Sequence, residues 1–253
     1  MEIRSHGLSD VGRRRTLNED SYLADDGLGL YIVADGVGGH AKGEVASAQA
    51  VEEVYGFVSR GIQVVEEFLD KPTEDSLFAV RRLLESAVQS ACYMIFGLAE
   101  LDPNRKGMST TMSALLMVEE LGIVAQVGDS RVYRHRQGKA DQLTEDHTLI
   151  NYKLKHGLIT PEEAEKAPGK NVITRAVGHR DYVQVDTVEC NVQPGDRFLL
   201  CSDGLHTYVS EASELSTVLG SGDLPHVATQ LIQMANERGG RDNITVLLVD
   251  AFE

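Results

Sequence analysis

The chain is short of positive charge, of cysteine and of long apolar runs, and each shortage closes off a class of function. Against 39 Asp and Glu stand only 24 Lys and Arg, which leaves a net charge of −15. A duplex-binding surface needs a concentrated basic face to displace counterions from phosphates, so nucleic acid is not an expected partner. The three cysteines, Cys92, Cys190 and Cys201, show no Cys-x-x-Cys spacing and each falls inside an apolar pattern. All three read as reduced core thiols. Nowhere do about 18 apolar residues run together, and the N-terminus has no basic segment followed by an apolar one. Neither export nor membrane spanning is indicated, and a cytoplasmic location follows as the default. Internal repeats and low-complexity linkers are missing as well.

What is present is a hydrophobic fraction of 42%, enough for a substantial core, in 253 residues, a length that allows one large β-rich domain or at most two domains. Excess acid often serves solubility alone. Four aspartates ask for more. Asp20 in Asn18-Glu19-Asp20, Asp35 in Ala34-Asp35-Gly36, Asp203 in Ser202-Asp203-Gly204 and Asp242 in Arg241-Asp242-Asn243 each lie at the edge of a run rich in Val, Ile, Leu or Tyr. Such runs read as strands that deliver a carboxylate where the backbone turns. Carboxylates gathered in one place repel one another, and a hard divalent cation between them is the natural remedy.

The strand and helix pattern is layered rather than alternating. Residues 21–23 and 29–34 flank an Asp25-Asp26-Gly27 turn as a hairpin, opened by Asp20 and closed by Asp35. Helical spacing follows over 43–58, and again after Pro72-Thr73, where Leu77, Val80, Leu84, Ala87, Val88, Ala91 and Ile95 mark one buried face. Strands are expected over 111–118, 122–127, 131–135, 197–201 and 244–249, with a further amphipathic helix over 224–238. Strand meander, helices, strand meander, helix and strand indicate an α+β fold. Residues 145–171 are polar, hold Pro161 and Pro168, and lack core content. A loop of that length in a compact domain is usually functional or disordered, so a flap beside an active site is expected there.

Eight strings occur in a familiar order: Arg15-Thr16-Leu17-Asn18-Glu19-Asp20, Val33-Ala34-Asp35-Gly36-Val37-Gly38-Gly39-His40, Ser109-Thr110-Thr111, Val127-Gly128-Asp129-Ser130-Arg131, Leu143-Thr144-Glu145-Asp146-His147, Ile173-Thr174-Arg175-Ala176-Val177-Gly178, Ser202-Asp203-Gly204-Leu205 and Gly240-Arg241-Asp242-Asn243-Ile244-Thr245. Singly they are weak, since Asp-Gly is a common turn; in this order the chain resembles bacterial metal-dependent Ser/Thr protein phosphatases of the PP2C (PPM) type. The resemblance spans nearly the whole chain. It implies a four-layer α-β-β-α sandwich, two packed antiparallel sheets flanked by helices, forming a single catalytic domain over 1–253. It also implies a binuclear Mg²⁺ or Mn²⁺ centre in which Asp35 bridges two ions, the Gly36 carbonyl serves the first, and Asp203 and Asp242 serve the second. Asp20 would hold metal-bound waters, Asp129 would help bind a third ion, and Arg15 would grip the substrate phosphate.

Uncatalysed phosphate-monoester hydrolysis is so slow that enzymes reach accelerations of up to ~10²¹. Two ions about 3.5 to 4 Å apart activate a water for in-line attack, so no protein nucleophile is needed. The planar fork of Arg15 matches two phosphate oxygens, although a solvated basic cluster with Arg13 and Arg14 is a competing reading. The proton donor to the leaving oxygen stays open. Relatives with a histidine directly after Asp-Gly use it, whereas Val37 stands there in this chain and His40 is the first histidine downstream. His40 serves as acid or as a helix-capping residue, or a metal-bound water donates instead. His147, in the flap, is a candidate substrate contact. The expected partners are phosphorylated proteins and a Ser/Thr kinase whose work the enzyme reverses, with the chain acting as a monomer. A phosphoprotein-binding module without turnover, and a phosphatase dedicated to one anti-sigma-antagonist-like protein, are the other readings.

Overall fold

The computed structural model describes residues 1–37, 42–169 and 172–253, the side chains of Glu165 and Lys166 excepted. In chain order the strands are β1 (Glu2–Asp10), β2 (Asp20–Asp25), β3 (Leu30–Val37), β4 (Ser109–Thr110), β5 (Met112–Val118), β6 (Leu121–Val127), β7 (Arg131–Arg136), β8 (Lys139–Gln142), β9 (Asp186–Asn191), β10 (Arg197–Cys201) and β11 (Ile244–Phe252). The helices are α1 (Gly43–Arg60), α2 (Ile62–Asp70), α3 (Glu74–Leu101), α4 (Leu149–Lys155), α5 (Pro161–Lys166), α6 (Asp203–His206), α7 (Ala212–Leu219) and α8 (Leu224–Glu237). One antiparallel sheet runs β1-β11-β10-β7-β8 and the other β2-β3-β5-β6-β9, with β4 attached to β3.

Alternation along the strands builds the layers. In β3, Leu30, Ile32 and Ala34 face the helices α1 and α3, while Tyr31 and Val33 point into the space between the sheets. Across that space β10 and β11 answer with Phe198, Leu200, Leu247 and Val249, and their other faces, Leu199, Cys201, Val246 and Leu248, pack on α7 and α8. Successive side chains of a strand point to opposite faces, and here both faces are covered. That is why these strands read as nearly unbroken apolar runs. The molecule is an α+β sandwich of four layers, helices outside and two antiparallel sheets inside.

The predicted hairpin forms in register, Asp20 opposite Asp35, with the Leu28 N–H bonded to Asp25 Oδ1 at 2.9 Å in the turn. Thr73 caps α3 in a reciprocal box with Ser76: Thr73 Oγ1 accepts from the Ser76 N–H at 3.1 Å and Ser76 Oγ accepts from the Thr73 N–H at 2.9 Å. The expected cover of two helices becomes three, because Gly61 breaks α1 from α2. Strands β1, β8 and β9 and helices α2 and α7 were not foreseen. Cys92 and Cys201 are buried as expected, but Cys190 is only partly so. It lies on β9, the outermost strand of its sheet, where one side has no neighbour. The 145–171 excursion carries α4 and α5. None of the described helices is long and apolar enough to cross a membrane.

Candidate active site

Asp35 ends the buried part of β3 and is fastened on three sides. Its N–H donates to Thr111 Oγ1 at 2.9 Å, and its carbonyl accepts from the Thr111 N–H at 2.8 Å and from Thr110 Oγ1 at 2.9 Å. The next residue must be glycine, since a Cβ on Gly36 would stand 2.5 Å from the Gly43 carbonyl carbon and 2.7 Å from the Glu19 carbonyl oxygen. The closeness leaves the Gly36 backbone pressed between the N-terminal loop and the start of α1, with its N–H donating to Glu19 O at 3.1 Å.

Asp20 is aimed by two hydroxyls, one from Ser202 between β10 and α6 and one from Thr245 on β11. Ser202 Oγ donates to Asp20 Oδ2 at 2.8 Å and Thr245 Oγ1 donates to the same oxygen at 2.7 Å. The other carboxyl oxygen, Asp20 Oδ1, is buried and has no hydrogen-bond partner. Asp203 opens α6 directly after Ser202. Asp242 precedes β11 and has both oxygens engaged, Oδ2 by Arg15 Nη2 at 2.8 Å and Oδ1 by the Asn243 N–H at 2.9 Å.

Asn243, only 3% exposed, is the residue that sequence reasoning passed over. Its Nδ2 donates to Val11 O at 3.0 Å and Leu17 O at 2.9 Å, and its Oδ1 accepts from the Glu19 N–H at 2.8 Å. One side chain thereby folds the Arg15 loop over the sheet ends. Asn243→Ala leaves three part-buried backbone groups without this partner, each worth up to about 1–3 kcal/mol where water does not replace it. We expect about 2–4 kcal/mol of lost stability by urea unfolding, since the loop relaxes towards water. A loss below about 0.5 kcal/mol, the scale of an ordinary surface change, would deny Asn243 this role.

The carboxyls feel one another. Burial, then the charges of Asp20, Asp203, Asp129 and Asp242, push Asp35 well above the usual carboxylate range. Burial pushes Asp20 to about 7 and Asp203 to about 6, the latter with Asp242 as its next cause and a hydrogen bond to Asp35 opposing. Two carboxyls in such contact share a proton rather than ionise together. Arg15, 41% exposed at its side chain, is itself held more firmly charged by its bond to Asp242.

Among the described residues no group of three His, Cys, Asp or Glu side chains stands ready-made to hold an ion. Two of the aspartates are already bonded within the protein: Arg15 and the Asn243 N–H occupy Asp242, and two hydroxyls occupy one oxygen of Asp20. The site nevertheless fits a hard divalent cation. It offers only oxygen donors, an orphaned buried Oδ1 on Asp20, and carboxyls that repel until a positive charge enters.

Asp129 sits at the turn between β6 and β7, 7% exposed. Burial, then Asp203 and Asp146, push it to about 7. Gly128 takes a positive φ of 99° and a Cβ there would meet Thr111 Cγ2 at 2.6 Å, so the turn needs glycine. Two buried histidines brace this turn. His206 Nε2 lies 2.8 Å from the Asp129 carbonyl, and His147 Nδ1 accepts the Gly128 N–H at 3.2 Å. With Nδ1 accepting, the His147 proton is on Nε2, which donates to Asp186 Oδ2 at 3.1 Å. Burial and Arg175 hold His147 neutral by lowering its pKa, and burial brings His206 down to about 4. His147 therefore departs from the expected substrate contact: it is 6% exposed and both ring nitrogens are used inside the protein. His40 lies outside the described residues.

In overall shape the chain is similar to solved bacterial serine/threonine phosphatases. Mycobacterium tuberculosis PstP/Ppp superposes with a TM-score of 0.86 at 34% identity, covering 99% of each chain. The catalytic domain of PstP in complex with two manganese ions does so with a TM-score of 0.83 at 33% identity, again over 99% of each. The class those structures define is matched by sequence. Protein phosphatase PhpP of Streptococcus pneumoniae is 37% identical over 249 residues, 97% of this chain and 96% of that protein. Residues 11–248 match the family described as Protein phosphatase 2C. The chain belongs to the protein phosphatase 2C family.

Proposed function

We propose that residues 1–253 form a single catalytic domain that hydrolyses phosphoserine and phosphothreonine in proteins, with water as nucleophile and two divalent cations, Mg²⁺ or Mn²⁺, as cofactors. It would act in the cytoplasm as a monomer, opposing a Ser/Thr kinase. The observation that carries this reading is the convergence of Asp20 on β2, Asp35 on β3 and Asp203 at the start of α6 into one part-buried acidic group. The names of the relatives support the reaction class. Asp35 would bridge the cations, the Gly36 carbonyl would serve one and Asp203 and Asp242 the other, with Asp129 near a third. When bound, such ions supply positive charge that acidifies water and neutralises phosphate oxygens.

The chain's own residues do the rest. Asp20, its Oδ2 fixed by Ser202 and Thr245, directs the free Oδ1 inward to order water by hydrogen bonding. Arg15 presents a fork with only Nη2 closely bonded, its Nη1 being 3.7 Å from Glu19. The remaining donors suit two phosphate oxygens. Segment 145–171, carrying α4 and α5, would serve as the flap, with His147 anchoring its base.

The test is turnover of p-nitrophenyl phosphate and of a phosphothreonine peptide with Mn²⁺. Arg15→Lys keeps the charge and loses the fork. We expect kcat/KM for the peptide to fall roughly tenfold or more, matching one charge-assisted hydrogen bond of about 1.5–3 kcal/mol. Peptide binding without turnover by the unaltered protein would make it a phosphoprotein-binding module instead.

A further inference from the structure

Beside the acidic site lies a cavity of about 440 Å³ whose lining includes three arginines. Arg14, Arg238 and Arg241 line it, together with Tyr208 and the site aspartates Asp203 and Asp242. Arg238 is committed, with bonds of 2.7 and 2.5 Å to Glu214 and one of 2.8 Å to the Tyr208 carbonyl. Arg14 and Arg241 are not: among the described residues neither side chain makes an ion pair or hydrogen bond. In a chain of net charge −15 several partly buried arginines find carboxylates, as Arg131 does with Asp146, Arg136 with Asp196 and Arg197 with Asp250. Of the two carboxyls in the lining, Asp242 offers them little, since Arg15 and the Asn243 N–H already engage both of its oxygens.

The placement is built by the backbone. The Arg13 N–H donates to the Gly240 carbonyl at 2.6 Å, which brings the loop after β1 and the loop before β11 together and sets Arg14 and Arg241 on one opening. The Tyr208 hydroxyl accepts the Arg241 N–H at 3.3 Å, so its own proton is available to the cavity. The volume falls in the range of small-ligand pockets, enough for one side chain.

We propose that this cavity is a specificity subsite for an anionic group flanking the phosphorylated residue of the substrate, either an Asp or Glu carboxylate or a second phosphate. The inference rests on the phosphatase reading above, in which Arg15, next in sequence to Arg14, grips the phosphate that is cleaved. Arg14 and Arg241 supply the opposing charge and the Tyr208 hydroxyl a neutral donor. Asp203 and Asp242 repel such a group when bare, so the subsite works only with cations on those carboxylates.

The experiment uses the Mn²⁺-loaded protein and phosphothreonine peptides whose neighbouring position is Ala, Lys, Glu or phosphoserine. The anionic peptides are expected to have the higher kcat/KM. In Arg14→Ala with Arg241→Ala the advantage drops by roughly three- to tenfold, the scale of one or two exposed ion pairs, while p-nitrophenyl phosphate turnover is unchanged. Arg14→Glu with Arg241→Glu shifts the preference to the Lys peptide, a reversal that a structural defect cannot produce. A gain limited to the Glu peptide or to the doubly phosphorylated one assigns the anion to carboxylate or phosphate. Equal rates on all peptides, or an unaltered preference in the double variants, overturn the proposal. If the unaltered protein turns over nothing, the phosphatase reading fails first; fluorescence anisotropy of the same labelled peptides then still reports whether Arg14 and Arg241 select anionic neighbours.

Discussion

Asp35→Asn is expected to extinguish turnover while making the ion-free protein more resistant to heat. Removing one preorganised charged group from a reaction centre costs about 10²–10³ in rate, and Asp35 is the carboxylate all the others crowd, so the loss is expected at or beyond that range. The stability change runs the other way. Without a cation, Asp35 is held far above its ordinary pKa by burial and by four neighbouring carboxyls, so its charged form is a burden on the native state. Asparagine keeps the shape and removes the charge. For a domain of this size each kcal/mol relieved raises Tm by about 2–4 °C. Differential scanning fluorimetry in chelator at pH 8 is the measurement, and the gain should shrink at pH 5, where the wild-type carboxyls hold their protons. Destabilisation at pH 8, or activity within about tenfold of wild type, would remove Asp35 from the centre of the site.

The second large effect is the response to Mn²⁺. A ligand that binds only the native state adds about 2.7 kcal/mol at ~100 times its dissociation constant, which corresponds to about 5–11 °C in Tm here. Its sign with pH follows from the raised carboxyls. Asp20 and Asp129 stand at about 7 and Asp203 at about 6, against 3.8 ordinarily. A carboxyl whose folded pKa is raised stabilises the fold fully below its unfolded value, and that contribution is lost as pH climbs through the folded one. The ion-free protein should therefore weaken between about pH 4 and pH 7 on account of these groups. The Mn²⁺ shift should grow over the same interval, because protons and cations compete for the same oxygens. A Tm that ignores saturating Mn²⁺ at pH 8 would speak against any native cation site.

Local chemistry made part of this legible in the sequence. The hairpin from Asp20 to Asp35 is written in a turn and two flanking apolar runs, and the structure pairs those two aspartates directly. The α3 start is written in Thr73 and its box with Ser76. Strand β1 was missed because its apolar residues are few and its partner, β11, is at the far end of the chain. Strand β9, an edge strand with alternate partial exposure, gives an equally thin signal. In the site, each aspartate stood beside a turn signal, but the groups that aim them did not. Ser202, Thr245 and Asn243 look like ordinary strand-end polar residues until the fold brings Asp20 and the Arg15 loop to them. His147 misled for the opposite reason: it sits at the foot of a polar segment, yet the fold turns its ring inward under Gly128.

The pairing of β1 with β11 along nine matched positions has a consequence for biosynthesis. As the polypeptide leaves the ribosome, β1 and the arginine loop behind it emerge before β11 and wait for a partner that is translated after every other described strand. Until then the N-terminal segment is an unpaired edge, open to chaperones and to mispairing with other nascent chains. The sheet can close only once β11 has emerged, in one late step, so a product truncated before β11 would lack the pairing that seats the arginine loop.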